Sequence, residues 1–473
     1  MTKLNKIVFF LICAAGICTT LAYGTVHQPV IAVFYAVIAS LVVLWAVDSA
    51  LSGSVRVSRD MLQAPLVMLG AYALIQIIPF GTLVDAAGMT GVPRTISLDP
   101  FSTQITAIHI FALCIFFALA LIYIDSTARL RRIVTVITVF GFIYAFYAIL
   151  QAVLSPDKIY GIYKPQSATP FGSFVNRHDF AAIIEMTISI PLGMIFAGSL
   201  RSDKRLLYVV AIALMGSALL LSGSRGGLIS LIAAIILIVI LTSRARGTKS
   251  LVLKTALSFA LIMAAVGGAV FVGGDTSLTR FNDAVASDDI SSSRTQIWGV
   301  TLKVIAENLP LGTGLGAFAQ AYTRFDPAGG FERVEQAHND YLQLLADAGI
   351  AGFVIGGLFL FMFFRAGVIG ATVTNTFRRG VAVGAFAGCF AILVHSLFDF
   401  VLHITAIAIM FLTLLAMLAA SSRDYADDVD EFDKPQRKRR SASVTPISPS
   451  HSRPMKSRSD KLPLICITRG VKR

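Results

Sequence analysis

The sequence predicts an all-α polytopic membrane protein with about twelve transmembrane helices and one large loop on the outer face, a loop expected to carry short helices. Three observations carry that expectation. Of 473 residues, 56% are hydrophobic and only 14% are charged, where a soluble domain of this size carries about 25% charged residues. The apolar residues gather in nearly uncharged blocks of roughly 17–23, the length that crosses ~30 Å of hydrocarbon. Lys and Arg fall on alternate connections, as in a chain whose basic segments stay on the cytoplasmic side.

Taken in order, the apolar spans are 7–23, 29–47, 62–79, 105–124, 132–153, 179–199, 206–222, 227–243, 251–273, 349–368, 380–398 and 402–420. With a cytoplasmic N-terminus, the inner connections carry Lys3 and Lys6, Arg56 and Arg59, Arg129, Arg131 and Arg132, Arg201, Lys204 and Arg205, Arg244, Arg246 and Lys249, and Arg378 and Arg379. The short outer turns at 24–28 and 399–401 carry neither Lys nor Arg. The first span resembles a signal peptide in length, but no A-x-A-like site precedes His27 and the next span follows at once, so it is expected to stay as a helix. Cys13, Cys18, Cys114 and Cys389 lie inside spans and Cys466 near the end, with no zinc or disulfide spacing. The net charge of +13 is then topology plus a basic tail rather than a footprint for nucleic acid. Residues 1–420 form the transmembrane domain. Residues 421–473 start acidic, turn basic at "KPQRKRR" and become rich in Ser and Pro, which predicts a disordered cytoplasmic tail near anionic headgroups.

Three long connections lie outside: 80–104, 154–178 and 274–348. In the last, "SSSRTQIWGVTLKVIAEN" predicts an amphipathic helix with Ile297, Val300, Val304 and Ile305 on one face. Pro310 and Gly312, Gly314 and Gly316 end it, either as a tight turn or as backbone set to approach a phosphate. His338 stands where a loop becomes the helix leading into span ten, with Asn339 or Asp340 suited to cap it. An imidazole there, beside a carboxylate, has the chemistry of a base near neutral pH, though a loop histidine bonded to backbone has the same pattern. "GSFVNRHDFAA" places Asn176, Arg177, His178 and Asp179 at the entrance to span six. "HSLFDFVLHI" spaces His395, Asp399 and His403 four apart, which allows a metal stripe if the helix continues. A turn at Asp399 and Phe400 would break the stripe and leave a hydrogen-bond network at the helix ends.

Arg225, in "LLLSGSRGGLISL", stands between two apolar runs whose nearby residues supply no carboxylate. By topology it shares the outer face with Arg177, Arg280, Arg294 and His338. Arginine stays charged and binds phosphate oxygens bidentately, so these side chains suit a lipid-linked diphosphate. A flippase or polysaccharide transporter is the alternative, but it calls for charges near the midplane of broken helices. Here the spans hold few ionisable groups, His109 and Glu185 among them.

"SGSRGGL", "SSSRTQIW" with "LGTGLGAF", and "AHNDYLQLLADAGIAG" resemble the O-antigen ligase and O-antigen polymerase family of bacterial envelopes over about residues 170–415. "GSFVNRHDFAA" and "HSLFDFVLHI" resemble its exopolysaccharide-polymerase-like branch, with Asp179 where that branch often has Asn or His. The resemblance implies a GT-C-like, metal-independent inverting glycosyltransferase of the inner membrane, both termini cytoplasmic and the site periplasmic. It implies no cofactor. The donor is a glycan on undecaprenyl pyrophosphate and the acceptor a hydroxyl of lipid A-core or of a growing surface polysaccharide, in lipopolysaccharide or exopolysaccharide biosynthesis. Carried over by motif, the essential residues match His338, Arg225 and Arg294. His338 would deprotonate the acceptor, with Asp340 orienting it, while both arginines hold the diphosphate. Arg177 and Arg280, with Asn176, Asp340, His395 and Asp399, would complete the substrate site.

Overall fold

The structure, a computed structural model, describes residues 3–82, 91–166, 168–243, 292–327, 329 and 333–423. Among them, the regular elements are α-helices with short 3-10 turns: α1 (Lys3–Leu21), α2 (Gln28–Ser52), α3 (Ala64–Gln76), α4 (Pro100–Tyr123), α5 (Thr127–Leu154), α6 (Arg177–Phe196), α7 (Ser202–Ser222), α8 (Arg225–Ser243), α9 (Ser292–Asn308), α10 (Phe318–Thr323), α11 (Asp340–Ala371), α12 (Thr376–His395) and α13 (Thr405–Ser421). Nine of these are long and apolar enough to cross a membrane, and α3 with its leading turn and α13 are shorter apolar helices. The chain is therefore an integral membrane protein. The expected span 251–273, Arg280 and residues 424–473 lie outside the described residues.

Helix starts follow local chemistry. The side chains of Asp99, Ser126, Asn176, Asn339 and Asn375 each accept a backbone N–H of the first turn of α4, α5, α6, α11 and α12, satisfying donors that have no partner within the helix. The bundle centres on α6 and α12. Over its membrane-length window α6 is 94% buried, against 17% for α2, so among the described residues α6 sits inside the bundle and α2 at its periphery. A Cβ on Gly193 of α6 would lie 2.4 Å from the backbone nitrogen of Gly384 of α12. Only glycine permits that approach, the small-residue packing by which helices associate in lipid.

Polar side chains collect at the two ends of the bundle. At one end Asp48 accepts from Arg56 at 2.9 Å, Tyr123 at 3.0 Å and Asn5 at 3.2 Å. Arg129 donates to Asn5 and, at 2.8 Å, to the Tyr123 carbonyl. These contacts tie α1, α2, α4 and α5 together at the end predicted to be cytoplasmic. At the opposite end α9 packs Val300, Val304 and Ile305 into a separate small core with Phe318 and Tyr322 of α10, as the amphipathic pattern predicts. The following glycines form a turn. Gly312, Gly314 and Gly316 all have left-handed φ, and the amides of Gly314 and Gly316 donate to the Asp347 carbonyl and carboxylate. Their N–H groups serve α11, so the tight turn prevails over the phosphate loop.

Candidate functional site

His338 comes one residue before the cap of α11. Asn339 Oδ1 accepts the N–H groups of Tyr341 and Leu342, both at 3.0 Å. His338 itself has φ +50°, a left-handed conformation that costs a non-glycine residue about 1–3 kcal/mol. Its Nδ1–H donates to Asp399 Oδ1 at 3.1 Å. Arg294, in the first turn of α9, donates to Asp399 Oδ2 at 3.2 Å. One carboxylate thus holds the loop before α11 and the start of α9 together.

The Asp399 side chain is 4% exposed while His338 and Arg294 are 32% and 27% exposed. The acid is enclosed and its two partners reach the surface. Burial alone would push the Asp399 acid up. The His338 hydrogen bond and the positive Arg294 guanidinium are among the interactions that outweigh burial and hold it well below the usual carboxylate range. With Nδ1 committed to an ionised carboxylate, Nε2 of a neutral His338 carries the basic lone pair. Asp399, rather than Asp340, orients this imidazole.

Beneath this group lies a buried layer. His395, at the end of α12, pairs through Nδ1 with Glu185 Oε1 of α6 at 2.9 Å, and neither side chain is more than 1% exposed. A Cβ on Gly226 would stand 3.0 Å from the His395 ring, and one on Gly227 2.8 Å from Glu185 Oε1. The two glycines after Arg225 let α8 close onto the buried pair. His178 Nδ1 meets Ser224 Oγ at 2.9 Å, which joins α6 to the turn before α8.

One ligand atom each from His178, His395 and Asp399 lies within 4.8 Å of the others, a donor set that could hold a divalent cation. Asp399, however, already accepts His338 and the Phe400 amide on Oδ1 and Arg294 on Oδ2. The arrangement is that of a network supporting the acid. The stripe of His395, Asp399 and His403 is broken: α12 stops at His395 and a 3-10 turn covers Val401–His403. Each of the three has its own partner.

Asp340 serves His403. Its Oδ1 lies 2.9 Å from His403 Nδ1, and its Oδ2 accepts Ser396 Oγ at 2.7 Å and the Leu402 amide at 3.2 Å. Arg177 begins α6 and Arg225 begins α8, both half-buried, and a Cβ on Gly223 would lie 3.4 Å from an Arg177 nitrogen. Both residues interact with other groups within the fold. The Asn176 oxygen caps α6 through the His178 amide at 3.0 Å. The site therefore brings together His338, Arg294 and Asp399, places Asp340 beside them on a different imidazole, and keeps His395 behind them. Ser224 had no signal in the sequence. Glu185 had one, a carboxylate alone in an apolar span.

A helical membrane bundle with histidine–carboxylate pairs and arginines at one end defines a membrane-embedded site of acid–base character. Residues 210–356 match the family model described as O-antigen ligase. The match contains Arg225, Arg294 and His338 and ends before His395, Asp399 and His403. No curated protein matches the chain.

Proposed function

We propose that the chain moves a glycan from undecaprenyl diphosphate to an acceptor hydroxyl at the periplasmic end of the bundle. The observation that supports this most is the grouping of His338, Asp399 and Arg294, two of which fall within the family match. His338 Nε2 takes the proton of the acceptor hydroxyl. The freed oxygen attacks the anomeric carbon as the bond to the diphosphate oxygen breaks, and the electron pair leaves with the diphosphate. The anomeric centre inverts, and the proton passes from His338 to water. Arg225 and Arg294 stabilise the charge that gathers on the leaving diphosphate, the electrostatic contribution that usually dominates such catalysis. Arg177 and Arg280 position the sugar phosphate, which gives arginines the role a metal has in other transferases. Asp399 fixes the His338 tautomer and steadies the imidazolium.

The acceptor is lipid A-core if the chain is a ligase and the end of another repeat unit if it is a polymerase. The exopolysaccharide-like motifs around Asn176 and His395 favour polymerase. The test is purified protein in detergent with lipid-linked donor and glycan acceptor, without nucleotide or ion gradient. Glycan transfer that His338→Ala abolishes supports the proposal. Lipid translocation without transfer would make the protein a flippase and overturn it. Surface glycans of a deletion strain separate the two acceptors: single repeat units on lipid A-core mark a lost polymerase, and full-length chains left on the carrier lipid mark a lost ligase.

A further inference from the structure

The structure holds a second imidazole–carboxylate pair that the chemistry above does not use. Asp340 is buried and both its oxygens are engaged, with Ser396 Oγ and the Leu402 amide on one and His403 on the other. The His403 side chain is 39% exposed and Asp340 8%, so an enclosed acid aims an accessible ring. Nδ1 is spent on that acid. Among the described residues no hydrogen bond is made by Nε2, which leaves one N–H to face outward.

Phe400 packs near both imidazoles. Its ring centroid is 4.8 Å from that of His338 and 6.5 Å from that of His403, edge-on to both. The two imidazoles therefore share one aromatic neighbour. Asp340 and Asp347 of α11 face His403 and favour its charged form, and the hydrogen bond to Asp340 adds to this, so the imidazole titrates above its ordinary range despite burial, which acts the other way. His109 of α4 is the opposing group, itself 3.2 Å from Tyr35 Oη of α2. A packing role for position 403 would need neither a charge nor an open ring edge.

We infer that His403, aimed by Asp340, binds a phosphate-class oxyanion beside Phe400, next to the site built on His338. A cation with one outward N–H suits a single anionic oxygen. Two sources share that chemistry: the diphosphate of the lipid-linked donor, and the headgroup of a membrane phospholipid reaching the site from beside α2 and α4. The inference rests on the proposed function only for the first source.

Full-length protein carrying ¹⁵N-labelled histidine is studied by NMR, with the His403 signal assigned by its loss in His403→Gln. Inorganic diphosphate is added in detergent, and in parallel the protein is placed in nanodiscs of phosphatidylglycerol or of phosphatidylcholine. A rise in the His403 titration midpoint with diphosphate supports the donor as source. In that case His403→Gln weakens KM for a lipid-linked donor about 3- to 10-fold, the loss of one charged hydrogen bond at a partly exposed site, with kcat kept and His403→Lys recovering part of the loss. A rise with phosphatidylglycerol but not with diphosphate supports the headgroup. No response of any histidine signal to either overturns the inference. That outcome is read on the wild-type protein alone, so a misfolded variant does not block it. His338→Ala separates this from the proposed function, since it stops transfer and leaves the His403 response intact.

Discussion

Replacing Asp399 with Asn tests the centre of the site with least change of shape. The carboxylate accepts from His338 at 3.1 Å and from Arg294 at 3.2 Å. An amide has one oxygen and one NH₂, so one of these donors must face another donor. If NH₂ faces His338, the ring shifts to its other tautomer and Nε2 carries a proton instead of a lone pair. A misplaced base costs about 10²–10⁴ in rate, or roughly 3–5 kcal/mol of barrier at about 1.4 kcal/mol per decade. A charged hydrogen bond contributes about 1.5–3 kcal/mol, and the partial exposure of His338 and Arg294 screens it, so stability falls by about 1–3 kcal/mol. Initial transfer rates and thermal unfolding in detergent measure both. A rate within threefold of wild type, in a protein that unfolds normally, would refute the reasoning. The pH dependence has a definite sign. Because the folded protein holds Asp399 below the usual carboxylate range, its stabilisation is complete above about pH 4 and is lost as pH falls further. The Asn variant should lack that acid-side loss.

Two further outcomes concern the scaffold. Asp48→Ala leaves Arg56, Tyr123 and Asn5 without their shared acceptor and should cost about 2–4 kcal/mol, visible as a lower unfolding temperature in detergent; an unchanged midpoint would show that these donors find other acceptors. Gly193→Ala places a methyl 2.4 Å from the Gly384 nitrogen and should cost about 1–3 kcal/mol through overpacking. Stability equal to wild type would mean that α6 and α12 can part without penalty.

Much of this architecture was legible in the sequence because each signal is local. Apolar runs, the Asn339 cap and the face of α9 depend on residues within a few turns of one another. The basic connections at Arg56 and Arg129 come together with Asn5 and Asp48 at one end of the bundle. What escaped was pairing at long range. Asp340 stands two residues from His338 yet serves His403, because the left-handed backbone at His338 turns that ring toward the segment after α12. His395 meets Glu185 across 210 positions, and Asp48 gathers donors from three other segments. No periodicity encodes such meetings. A solitary carboxylate in an apolar helix announces only that a partner exists.

The enclosure of α6 has a consequence for how the protein meets its surroundings. His178 and Glu185 ride on a helix almost wholly enclosed by the rest of the protein, while α2 is mostly uncovered among the described residues. Thinner or stiffer bilayers should tilt the peripheral helices first and leave the buried support of His395 by Glu185 little disturbed. The layer behind the site is thereby set apart from whatever surrounds the bundle.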